Sequence, residues 1–373
     1  TDTIVGVARR EFAFVDLDGN RYVAIGTDKF LLIYFEGQLY DITPLKTTLT
    51  SATIATTNTS AICSITTGTN HNLSVGDIVL LDTVTLPVGT GYVDADFENK
   101  LFQVTSITSA TVFTITQSTA ATATVGTGGS LSVKPYEQVG PAEQSYGYGW
   151  GIDTWSSGKW GEAASASDVS LEPGLWSLSN FGQVLVATIA NGKTFTWNAG
   201  DAARLTTRAS TTTSGFETTN NPTATRITLV SPTTRHLIHL GTETTIGDPT
   251  TQDDMFIRFS DQEDINDYVP TAINSAGSQR LQDGTRIIGA LKAKESILVW
   301  TDNALYTMKF IGAPFTFGFE QVGTNCGLIG KNAAIEIDGM AFWMSSNGFF
   351  MFDGTVKSLP CSVEDYVYDQ ADT

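Results

Sequence analysis

Positive charge is scarce in this chain: 21 Lys and Arg stand against 39 Asp and Glu, a net charge of −18. Wrapping nucleic acid through its phosphates requires a clustered basic face, so the charge argues against that class of protein. DNA passing by is not excluded, because an acidic wall repels phosphate and keeps a polyanion mobile. The plainer reading is that acidity keeps a Thr-rich β protein soluble. Cysteine is rarer still: Cys63, Cys326 and Cys361 lie far apart, without CxxC or metal spacing. They are expected to be free core thiols of a protein assembled in the cytosol. Apolar runs reach strand length only, short of the roughly 20 residues a membrane helix needs, so no membrane insertion is expected. Thr1 to Asp16 lacks the apolar block of a signal peptide. The chain starts without Met, and Ser362 and Asp365 have capping-box spacing just before its end. A helix is expected to begin there, with processing or truncation at one or both termini.

Apolar residues make up 41% of the 373, enough for a real core. They fall into a unit that recurs: a short apolar strand, a tight Gly or Asn turn, then a strand ending in aromatics. Copies run from Tyr22 to Leu45, Gln183 to Gly200, Arg286 to Gly312 and Ala333 to Gly354. Turns that need φ > 0 separate their strands, at Asp18-Gly19, Glu36-Gly37, Asn191-Gly192, Asp283-Gly284, Asp338-Gly339, Asn347-Gly348 and Asp353-Gly354. No amphipathic helix interrupts the copies before Ser362. The fold is therefore expected to be all-β, a β-propeller-like array of antiparallel meander blades.

Lys46 to about Val133 differs, being crowded with Thr, Ser and Ala and poor in charge. Leu101 to Ile107 and Val112 to Thr116 alternate as strands. Removing this block would bring two meanders close together, so it reads as one inserted small β domain, placed in a loop where insertions are cheap. The predicted division is 1–45 for the first propeller strands, 46–134 for the insert, and 135–373 for a Gly/aromatic strap, the remaining blades and the start of a C-terminal helix.

Several patterns could carry chemistry. Ala187 to Thr194 loosely matches a phosphate loop, but Phe195-Thr196-Trp197 continues as a strand where that mechanism needs a helix N-terminus. Asn191-Gly192 is therefore a hairpin turn. His236 and His239 are three apart in a strand and point to opposite faces, so they cannot chelate one metal together, and His71 stands alone. Asp253, Asp254, Asp261, Glu263, Asp264 and Asp267 form the densest acidic run. A glycosidase would need two of them facing across a cleft, and no Gly sits where a calcium loop requires one. They are candidate interface or lumen acids, or simply a solvated loop. Tyr146, Tyr148, Trp150, Trp155 and Trp160 form a candidate aromatic contact strap, able to stack on a sugar or a partner chain or to pin a Gly-rich segment onto a sheet. Asn58-Thr-Ser60 and Asn72-Leu-Ser74 fit a glycosylation pattern that means little without a secretory signal. No nucleophile elbow with a His partner is present. No catalytic residue, cofactor or metal is expected, and the chain is expected not to be an enzyme.

IRFSDQEDINDYVPT (Ile257 to Thr271), NSAGSQRLQDGTRI, the segment from Ile297 to Gly330 and the segment from Ala341 to Asp369 resemble a family of tailed-bacteriophage virion proteins. LYDITPL and LWSLSNFGQVLVATIANGKTFTWN, with the YGYGWG strap before them, resemble that family's N-terminal half. The family is similar to the nozzle or tail-tubular proteins of short-tailed phages. The resemblance implies a β-propeller body in a homo-oligomeric ring, a hexamer, below the adaptor and portal and in contact with tail fibre proteins. The ring would retain packaged DNA and let it pass during ejection. It implies a place in the virion and brings no catalytic residue. A glycan-binding or glycan-cleaving tail protein is the alternative, motivated by the aromatic strap and the acidic run.

Overall fold

A computed structural model describes residues 6–140, 173–213, 216–294 and 296–370. It divides into two units, one comprising Thr1–Asp28, Leu32–Tyr40 and Pro141–Thr373, the other Lys29–Leu31 and Asp41–Gly140. The predicted strap, Tyr146, Tyr148, Trp150, Trp155 and Trp160, lies outside the described residues.

The first unit opens with a four-stranded sheet in chain order, β1 (Ala8–Val15), β2 (Arg21–Thr27), β3 (Leu31–Phe35) and β4 (Gln38–Asp41). The turn into β4 is Glu36-Gly37, with both φ values positive at 49° and 85°, the geometry that lets a two-residue hairpin follow the strand twist. The chain then builds the second unit, a closed barrel of β5 (Leu49–Thr56), β6 (Ile62–Thr66), β7 (Ile78–Thr85), β8 (Lys100–Ser109), β9 (Val112–Thr116) and β10 (Val125–Pro135), ordered β10-β5-β6-β9-β8-β7. β10 closes it by pairing with both β5 and β7, as where Val133 registers with Leu49 on one side and Leu81 on the other. Closure removes the exposed edges an isolated sheet would carry. Alternate residues point inward, and Ile54, Cys63, Ile65, Val79, Leu81, Val104, Phe113, Ile115 and Val133 fill a core of the barrel's own.

Four more sheets complete the first unit. They are β11 (Trp176–Phe181) with β12 (Val184–Ile189) and β13 (Thr194–Asn198), then, after a two-stranded ribbon of β14 (Thr212–Thr213) and β15 (Phe216–Glu217), the sheet of β16 (Thr225–Val230), β17 (Leu237–Thr242), β18 (Phe256–Phe259) and β19 (Gly277–Arg280). Next come β20 (Ile287–Lys292), β21 (Ile297–Thr301), β22 (Ala304–Gly312) and β23 (Thr316–Thr324), and finally β24 (Ala334–Ile337), β25 (Met340–Ser345), β26 (Gly348–Phe352) and β27 (Val356–Leu359). A short helix, α1 (Glu364–Gln370), follows. The sheet β16–β19 is one that the repeat in the sequence does not reveal. The Asn191-Gly192 turn joins β12 to β13, with Gly192 N–H donating to Ile189 O at 2.9 Å, so the loop leads into a strand as expected.

Successive first strands pack on one another: β1 on β11, β11 on β16, β16 on β20, and β20 on β24. This is the propeller-like array. Its middle strands are buried on both faces, which is why β12 (VLVATI) and β21 (ILVWT) read as near-continuous apolar runs, while β17 (LIHLGT) buries His239 and Thr242 as well. β21 shows the consequence. Ile297 and Val299 join Ile227, Ile238 and Ile257 of the preceding sheet, while Leu298 and Trp300 join Ala341 and Trp343 of the following one. Trp300 and Trp343 meet edge to face at 5.4 Å. At the first junction Tyr22 and Phe14 pack edge-on against Trp197. Gly26 permits a close approach there, since a side chain on it would stand 2.6 Å from the Trp176 ring. Trp176 in turn donates its indole N–H to Thr27 O at 3.0 Å.

Candidate functional site

The acidic run does not converge. β18 separates it, with Asp253 and Asp254 before the strand and Asp261, Glu263, Asp264 and Asp267 after it. Four extended residues span roughly 10–13 Å, so the two groups sit at opposite ends of one strand. Each acid ties down its own loop. Asp253 accepts from Arg280 Nε at 2.6 Å, and Asp254 lies 3.5 Å from Arg226. Asp261 accepts from the backbone N–H and hydroxyl of Ser275 at 2.7 and 2.6 Å. Glu263 pairs with Arg235 at 3.2 Å, Asp264 accepts from Asn266 N–H at 2.8 Å, and Asp267 from Asn274 Nδ2 at 2.9 Å. Asp253 and Asp261 are held below the usual carboxylate range by these donors, against the opposing pull of partial burial.

The histidines are core groups. His236 bonds Thr234 and Ser275 at 2.7 and 3.0 Å, and His239 bonds the Tyr268 hydroxyl at 2.9 Å. His236 immediately precedes β17 and His239 lies within it, and the two share no partner. Burial, assisted by the Arg258 charge, pushes His239 down to about 3, so it stays neutral. His71 accepts from Leu73 N–H through Nδ1, which leaves its Nε2–H to donate to Ser109 O at 2.9 Å inside the barrel. Among the described residues no group of three or more His, Cys, Asp or Glu could hold a metal ion. The three cysteines are free thiols, two of them buried.

One arrangement escapes sequence reasoning. The first strands of four sheets, β1, β11, β16 and β20, line a cavity of about 210 Å³ with Lys331, which precedes β24. Two alternate residues of β11 each meet a lysine there: Lys292 Nζ donates to Ser179 Oγ at 3.0 Å and Lys331 Nζ to Ser177 Oγ at 2.9 Å. Arg10 lines the same space and donates to Asn332 Oδ1 at 3.4 Å. A second cavity of about 170 Å³ shares Arg10 and Lys331 and adds Glu11 and Trp300. Trp300 is fully buried, and its indole N–H has no acceptor. Burial lowers the basicity of Arg10 and of Lys292, and the Arg10 charge lowers Lys292 further. Arg10 is more than a third open to solvent, so the effect on it is the weaker one.

No family model matches the chain, and no curated protein matches it. Among solved structures it is similar to a phage phi92 endosialidase at 14% identity and a TM-score of 0.27, with 87% of this chain and 50% of that chain covered. This chain thus spans about half the length of that protein. It is also similar to BBS1N, solved in complex with ARL6DN, at 8% identity and a TM-score of 0.33, with 95% of this chain and 85% of that chain covered. With an endosialidase among the matched structures, the expectation that the chain is not an enzyme is withdrawn. A likeness of that size transfers no reaction and no catalytic residue.

Proposed function

We propose that the chain is a structural protein of a tailed-phage virion, a nozzle or tail-tube component that self-assembles into a ring around the DNA-exit channel. The observation that carries this reading is the free end of the β22–β23 hairpin. Both strands run nine residues, the longest in the first unit. The final turn exposes Phe310, Ile311 and Phe315, the last of them 73% open. Large apolar side chains clustered on an exposed hairpin fit a subunit contact better than a solvated loop. The resemblance of the sequence to short-tailed phage nozzle proteins supplies the rest: a hexameric ring between the adaptor and portal side and the tail fibre proteins, holding packaged DNA and then releasing it. Asp253, Asp254, Asp261, Glu263, Asp264 and Asp267 then serve as interface or lumen acids, and the net charge of −18 keeps a passing polyanion from sticking.

Sedimentation velocity of the purified chain over a hundredfold concentration range, with cryo-EM of the particle, tests this. A ring and matching tail density are expected. A monomer at every concentration, with density outside the tail axis, overturns it. Cleavage of host polysaccharide by such a monomer would favour the glycan reading instead.

A further inference from the structure

The chain carries nearly twice as many acids as bases. Yet two of the cations lining the cavity between β1, β11, β16 and β20, Arg10 and Lys292, have no counter-ion within 4 Å among the described residues. Glu11 lines the second cavity and is, among the described residues, the one carboxylate on either lining. A shallower cleft beside Lys292 adds Lys294, Glu336 and Asp338, again without an ion pair to Lys292. Gathering like charges and stripping part of their water is unfavourable unless an anion joins them. We propose that this cavity binds a small oxyanion of two or more charges, a phosphate or a polycarboxylate. Arg10, Lys292 and Lys331 reach it from separate sheets, so one bound anion would tie β1, β20 and the start of β24 together. The unpartnered indole N–H of Trp300 is a further donor on the adjoining wall. A volume near 210 Å³ holds such an anion with a few waters, each taking about 30 Å³ in the liquid, and is too small for a folded segment.

The test is thermal unfolding of the full chain in phosphate, in citrate, and in chloride at matched ionic strength. Phosphate or citrate should raise Tm by a few degrees over chloride at about 100 times its Kd. Lys292→Met keeps most of the side chain's length and removes its charge, and Arg10→Met removes the charge with a shorter apolar chain. Each should melt in chloride at or above the wild-type temperature, because repulsion is relieved, and each should bind the anion about tenfold more weakly or worse. Lys100→Met, the same charge change on the exposed barrel strand β8, should respond like wild type. No anion-specific rise in the wild-type protein, or a rise undiminished in both cavity variants, overturns the proposal.

Discussion

At the scale of single residues, His239 shows how burial turns an ordinary side chain into a determinant of acid stability. It is fully buried, its Nδ1 has no partner, and its Nε2 meets Tyr268. Its basicity falls to about 3 in the fold against about 6.5 for a free imidazole. Between those values the unfolded chain binds a proton that the folded chain refuses. The contribution is therefore complete above pH 6.5 and is lost as pH falls, about 2 kcal/mol by pH 5. His236, lowered chiefly by burial, acts in the same direction. Urea unfolding at pH 7.5, 6 and 5 should show His239→Gln recovering at least half of the wild-type loss. Equal losses in both proteins would remove His239 from the account. The paired loop acids act lower, below about pH 4, because their folded values are depressed from the carboxylate range.

At the scale of elements, the hairpin β22–β23 carries two roles. Its base, from Ala304 to Met308, is buried between sheets, while Lys309 to Gly312 emerges from them. Phe310 still touches Phe317 at 5.8 Å, whereas Phe315 at the turn is the more exposed. Phe315→Asp should therefore leave the melting temperature within about a degree, as expected for an exposed site, and weaken self-association at least tenfold by sedimentation. A variant that assembles like wild type would clear this hairpin of any part in subunit contact. Elements were also where the sequence was most and least readable. Turn residues such as Glu36-Gly37 and Asp338-Gly339 mark their hairpins because few residues tolerate positive φ. Strands at Arg226 to Val230, His236 to Leu240 and Met255 to Phe259 are legible in the sequence and match β16, β17 and β18, but β19 stayed hidden because a long acidic loop separates it from β18 and its sequence, GSQR, has no apolar face to betray it.

For the whole molecule, the barrel has what independent folding requires, closed hydrogen bonding and a core of its own. All seven tryptophans lie outside Asp41–Gly140, so their fluorescence reports the first unit only. Residues 41–140 expressed alone should give a β-type circular dichroism spectrum and a cooperative melt. In the full chain, unfolding followed by tryptophan and by circular dichroism should not coincide. A disordered fragment, together with one coincident transition, would mean that the barrel depends on the sheets.

The amino-acid sequence by itself determined the all-β class, the turns and the foreign character of the Thr-rich segment. Those follow from local rules: alternation with period two, the cost of positive φ, and composition over tens of residues. It also placed the acids, but not their separation, because a run in sequence says nothing of which end of a strand each residue reaches. Only the tertiary structure brought Arg10, Lys292 and Lys331 to one cavity. They are more than 300 residues apart at the extremes, Arg10 and Lys292 are unremarkable in their strands and Lys331 in the turn before β24, and only the stacking of successive first strands makes them neighbours. Scarce positive charge, the chain's first peculiarity, is concentrated there by packing that no local pattern encodes.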